Sequence, residues 1–103
     1  MGSEKGSPPV DNSDIAGVFQ EIADMLELKK DNIFKIRAYR KVAASIEQLP
    51  VPLAELAAGG RLREVPGVGE AVEKKIEELL ATGKLDYYDR LKAESPAKGA
   101  DNG

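Results

Sequence analysis

One short segment constrains this chain more than any other: Pro66-Gly67-Val68-Gly69. Proline ends a preceding helix and fixes φ, and glycine reaches backbone conformations that other residues avoid. Leu62 and Val65 lie just before the segment, and Ile76 follows at helical spacing. The string therefore predicts a short helix over 60–64, a tight turn over 65–69 and a longer helix over 70–82. Val68 can anchor the turn in a core. Gly67 and Gly69 are expected at positive φ, with their N–H groups open. The first amides of a helix lack partners and sit at the positive end of its dipole. Together with the turn, the amides at Glu70 predict an anion site suited to a phosphate. Such a contact reads no base sequence. The bare tetrapeptide also fits an ordinary Gly-rich turn, and the bracketing apolar residues are what favour the specific reading.

The rest of the chain keeps the helical period. Ile15, Val18, Phe19, Ile22, Ala23 and Leu26 fall on one stripe and predict a helix over 13–28, capped by Asn12 or Ser13. A second helix over 33–48 carries Ile36, Tyr39, Val42, Ala43 and Ile46, with Asn32 as its cap. Leu49-Pro50 ends it, because a residue before proline avoids the helical region. Pro52 suits the first turn of a short helix over 52–58. Val72, Ile76, Leu79 and Leu80 face inward on the helix over 70–82, and Gly83 is its left-handed cap. A last helix is expected over 85–92, with Tyr88 and Leu91 available for packing. Two-residue alternation is absent, so no sheet is expected. The predicted class is all-α: a compact domain of four to five helices over 11–94, with flexible tails at 1–10 and 95–103.

Composition excludes several chemistries. The 103 residues include no Cys and no His, which removes disulfides, the usual zinc sites and Cys or His nucleophiles. No apolar stretch is long enough to span a bilayer. A cytoplasmic location is expected, near the nucleoid in a prokaryote. The net charge of −3 alone points away from nucleic acid. Its distribution points the other way: Lys29, Lys30, Lys35, Arg37, Arg40 and Lys41 face a single acid, Asp31, over residues 29–41. Screening limits charge interactions to about 10 Å, so a local basic face outweighs the sum. Lys35, Arg37, Arg40 and Lys41 read as a DNA-facing surface or as a solvated helix face. Phe34 reads as a core or rim residue, or as a platform for a base.

Two motifs carry a family resemblance. Ile33-Phe34-Lys35-Ile36-Arg37-Ala38-Tyr39-Arg40-Lys41-Val42-Ala43-Ala44-Ser45-Ile46 resembles the second helix of the N-terminal domain of family X DNA polymerases. Val65 to Gly69, followed by Ile76 to Leu85, resembles that domain's hairpin and next helix. The resemblance spans about residues 13–92. It implies a helix-hairpin-helix domain that binds gapped or single-stranded DNA at a 5′-phosphate end. It places the phosphate pocket at Lys35 and Tyr39, with Arg63 near a third basic position. It matches Arg63, Val65 and Val68 to backbone carbonyls that hold Na+ or K+; no other cofactor is implied.

In some relatives the domain also removes a 5′-deoxyribose phosphate through a lysine Schiff base. The matching residue here is Lys75. Such an amine needs a depressed pKa. This chain departs from the lyase pattern: Ala71 and Tyr87 stand where relatives carry basic residues, and Phe34 replaces a stacking histidine. Glu73, Glu77 and Glu78 surround Lys75 in sequence and are expected to raise its pKa. Three functions compete: a DNA-binding module acting as a monomer beside the polymerase catalytic region of the same protein, a lyase, and a protein-interaction domain on the same scaffold.

Overall fold

A computed structural model describes residues 10–94. The elements are α1 (Asn12–Leu28), α2 (Ile33–Glu47), α3 (Leu53–Ala58), a 3-10 turn (Leu62–Glu64), α4 (Glu70–Thr82) and α5 (Asp86–Glu94). Among the described residues there is no strand, as the missing alternation predicts. The tails expected at 1–10 and 95–103 lie outside the described residues, except Val10. That residue packs against the core rather than trailing from it.

α1 starts one residue earlier than expected, and its cap is Asp11. The Asp11 carboxylate accepts the Asp14 amide at 3.0 Å, and the Asp14 carboxylate accepts the Asp11 amide at 3.2 Å. This reciprocal box satisfies two amides at once, which neither Asn12 nor Ser13 does. Asn12 has a longer-range role. Its amide donates to the Val51 carbonyl at 2.9 Å and its oxygen accepts the Leu53 amide at 2.8 Å. These bonds tie the start of α1 to the start of α3. At the other end, the Asp31 amide reaches back to Leu26 O at 2.9 Å, and Lys30 takes the left-handed position at φ 61°.

Asn32 caps α2 as expected, accepting the Phe34 amide at 2.7 Å. Pro52 stands just outside α3 as its cap. The helix expected over 60–64 is shorter, a single 3-10 turn. α4 has the bounds that the sequence predicts, and Gly83 ends it at φ 78°.

The core lies where the stripes meet. Ile15, Phe19, Ile22 and Leu26 of α1 are fully buried, as are Ile46, Leu53, Leu62, Ile76 and Leu85 from the other segments. Each such side chain contributes roughly 1.5–3 kcal/mol when fully buried. α1 and α2 form the most extensive helix pair. Leu62, Val65 and Val68 sink into this core, so the turn between them is pinned from below.

Candidate nucleic-acid interface

The turn over 65–68 has a defined geometry. The Val68 amide donates to the Val65 carbonyl at 3.0 Å, and Gly67 lies at φ 93°. With Pro66 second and a positive-φ glycine third, this is the signature of a type II turn. Gly67 also needs its missing side chain for space. A Cβ there would lie 3.2 Å from Val42 Cγ2 and 3.5 Å from Lys41 Cγ. The hairpin thus rests on the Lys41–Val42 edge of α2.

Gly69 corrects an expectation. It is not at positive φ but extended, at φ −107° and ψ −167°, and a Cβ there would meet nothing within 4 Å. The turn needs one left-handed residue, and Gly67 supplies it. Gly69 is the cap of α4, and it has no side chain to accept the helix's first amides. Among the described residues, no protein group accepts the amides of Gly67, Gly69, Glu70 or Ala71. Unpaired donors and the helix dipole therefore converge on open space above Gly69.

The expected carbonyl ligands belong to the same hairpin and the turn before it. Val65 O already accepts the Val68 amide and keeps one lone pair. The carbonyls of Arg63 and Val68 accept no backbone hydrogen bond among the described residues. Unspent carbonyl oxygens are the donor type that a hard monovalent cation takes. The Arg63 guanidinium turns to Glu73 at 2.9 Å, alongside the hairpin.

A second cluster joins α2, α4 and α5. Tyr39 is buried and stacks between Phe19, with ring centroids 5.9 Å apart, and Tyr87, at 6.3 Å. Burial holds its phenol well above the ordinary value, and Tyr87 adds to that. Lys75 Nζ sits over the Tyr87 ring, 4.7 Å from its centroid. Burial lowers the Lys75 pKa; nearby Glu78 opposes this, while Lys35 adds to the lowering. The rise expected from three glutamates does not occur. Glu73 is engaged by Arg63, and Glu78 accepts the Asp86 amide at 2.9 Å. Neither partner was visible as one from local sequence, because both lie across a turn. Lys35 faces Asp31 at 3.4 Å. The structure therefore brings Lys35, Tyr39 and Lys75 together around Tyr87. Sequence reasoning registered Tyr87 only as a missing cation, not as the ring under Lys75.

Arg40 is placed elsewhere. It bonds to Asp24 at 3.0 Å and Glu27 at 2.5 Å on α1. On the helical wheel it points away from the Lys41–Val42 edge that carries the hairpin. Arg37 and Lys41 are exposed and form no ion pair among the described residues. Phe34 is neither core nor rim: it is 73% exposed. Asn32 caps α2 just before it and fixes it on the outer face.

Residues 10–85 match the model of a family described as a helix-hairpin-helix domain. The chain is also similar to the DNA polymerase/3′-5′ exonuclease PolX of Bacillus subtilis (strain 168), with 35% identity over 83 residues. That alignment covers 81% of this chain and 14% of the relative's length. With the pinned turn, the uncapped α4 and these two matches, the chain belongs to the helix-hairpin-helix domain family, in the form that family X DNA polymerases carry.

Proposed function

We propose that this domain grips the DNA backbone without sequence preference, at the 5′-phosphate side of a gap, for a family X polymerase. The observation that carries this reading is the set of unaccepted amides around Gly67, Gly69 and Glu70 over a left-handed turn. A phosphodiester oxygen supplies the acceptors those amides lack. The carbonyls of Arg63, Val65 and Val68 would hold a Na+ or K+ beside it, and the ion supplies positive charge to a phosphate there. Lys41 and Arg37 extend the positive face along α2, and the exposed Phe34 offers a surface on which a base stacks. Lys35, Tyr39 and Lys75 form the wall for a terminal phosphate. The catalytic region of a longer polymerase is the proposed neighbour in the same protein. Among the described residues, no helix is long and apolar enough to cross a membrane.

The test is a titration of gapped DNA with and without a 5′-phosphate, followed by amide shifts and repeated across salt. Each neutralised phosphate adds about 0.7–0.9 to the log–log salt slope. Shifts centred on Gly67 to Ala71, with a steep slope, are expected. A flat slope, or no binding at low salt, leaves the scaffold as a protein-interaction domain.

A second reading is supported by Lys75. Its depressed pKa suits a nucleophilic amine, and the Tyr87 ring beneath Nζ fixes where that amine stands. Attack of Nζ on the aldehyde of an abasic sugar, with loss of water, gives a Schiff base. Borohydride reduction on a 5′-deoxyribose-phosphate oligonucleotide traps it. An adduct that disappears in Lys75→Ala supports a lyase, and no adduct in the parent chain ends that reading.

A further inference from the structure

A cleft of about 190 Å³ opens between the end of α1, the start of α2 and α5. Three cations line it: Lys29, Lys35 and Arg90. Tyr87 forms one wall, so the cleft adjoins the ring that carries Lys75. Two carboxylates in the cleft offset these charges. Asp31 accepts the Asn32 amide at 2.6 Å and faces Lys35 at 3.4 Å. Glu94 is different. It comes from the far end of the fold and bonds only to Lys29 Nζ, at 2.8 Å, among the described residues. Its side chain is 58% exposed, so it can leave without disturbing the core.

We propose that Lys29, Lys35 and Arg90 form a site for a phosphate monoester, and that Glu94 occupies it until a terminal phosphate of DNA displaces it. This rests on the DNA-binding reading above and assigns Lys29, Arg90 and Glu94 a part in it. The charge balance explains the selectivity such a device gives. A carboxylate carries one negative charge, as does an internal phosphodiester, so a diester gains nothing by displacing Glu94. A monoester carries about −2 at pH 7 and three acceptor oxygens, and it outcompetes the carboxylate. Glu94 therefore selects a DNA end over continuous backbone. On release, Lys29 and the Arg90 guanidinium, otherwise bonded to Asp86 at 3.0 Å, turn to the phosphate.

The experiment measures affinity of the full chain by fluorescence anisotropy. The probes are one-nucleotide-gapped duplexes bearing either a 5′-phosphate or a 5′-hydroxyl. Glu94→Gln should tighten binding of the phosphorylated duplex about two- to fivefold, the scale of one exposed ion pair, with a smaller change for the hydroxyl form. Lys29→Gln should remove most of the preference for the phosphate. Glu47→Gln, an equal charge change at an exposed position near the end of α2, controls for net charge. The proposal is overturned if Glu94→Gln matches Glu47→Gln, or if Lys29→Gln keeps the preference. If the parent chain binds both duplexes equally and Gly69→Val weakens both, the hairpin reading stands and the cleft proposal alone fails. If the parent chain binds neither duplex, both fall.

Discussion

Gly69→Val separates binding from folding, because the hairpin's two glycines are constrained in different ways. At position 69 the backbone is extended, a conformation valine adopts readily, and the new Cβ meets no protein atom within 4 Å. Two small terms then oppose each other. Valine restricts the unfolded chain more than glycine, a gain of about 0.4–1 kcal/mol. It is a poorer helix cap than glycine, a cost of about 0.5–1.5 kcal/mol. The net change in stability should stay within about 1 kcal/mol, or less than about 8 °C in Tm for a domain of this size. The same isopropyl group stands in the open space onto which the α4 amides converge. Loss of one charge-assisted hydrogen bond to a phosphate costs about 1.5–3 kcal/mol, or roughly 10- to 150-fold in affinity. Circular dichroism melting and anisotropy with gapped DNA read the two quantities on one sample. Gly67→Ala is the contrast. It forces a β-carbon into the left-handed region and within 3.2 Å of Val42, and should cost about 2–4 kcal/mol of stability. Unchanged DNA affinity in a folded Gly69→Val chain would refute the hairpin as the grip. Unfolding of Gly69→Val would refute the backbone argument itself.

Other outcomes follow from single sites. Borohydride trapping through Lys75 should rise with pH, since the neutral amine attacks, with a midpoint below the ordinary lysine value of 10.5. Lys35→Gln should move that midpoint upward, because Lys35 is one cause of the lowering; an unmoved midpoint would leave burial as the sole cause. Asn12→Ala breaks the bonds to Val51 and Leu53 and should lower stability by about 1–2 kcal/mol in urea unfolding. If Asn12 were only a helix cap, Ser at that position would restore stability; the two-sided bridge predicts that it does not. Lys30→Gly should raise stability by about 0.5–1 kcal/mol, the left-handed strain relieved less the added freedom of the unfolded chain.

Which features the sequence revealed depends on how local their causes are. α4 and its Gly83 cap were legible because a periodic apolar stripe and one left-handed glycine decide them within a few residues. The stripe on α2 was legible for the same reason, and all five of its predicted core residues are buried. The α1 cap was misplaced because three neighbouring polar residues all suit the role. Only the pull of Val51 and Leu53 on Asn12, about forty residues away, leaves the cap to Asp11. The direction of the Lys75 pKa differs from the expectation for a related reason. Counting glutamates along the helix leaves out burial, the largest cause of the lowering, against which Glu78 still pulls upward. Phe34 keeps two readings in the sequence, because one aromatic next to a helix start fits a staple as well as a platform. Only the packed fold shows it exposed, with no cover among the described residues.

The two features proposed to face phosphate share one element, and this gives the candidate site its shape. Around α2, the core stripe runs through Tyr39, Val42 and Ile46, all buried. Val42 supports Gly67 on one flank, so the hairpin's height above the helix is set by a core side chain. Tyr39 supports Tyr87 through stacking, and Tyr87 in turn carries Lys75. One turn separates Tyr39 from Val42, so both supports stand on the same rigid face. Arg40 would add a cation to that face if it turned toward it, but Asp24 and Glu27 hold it against α1. A chain with net charge −3 can thus still present a cationic surface. Among the described residues, Asp24 and Glu27 hold Arg40, Glu73 holds Arg63 and Glu94 holds Lys29, and the donors left open at the hairpin are backbone amides that no acid in the described residues reaches.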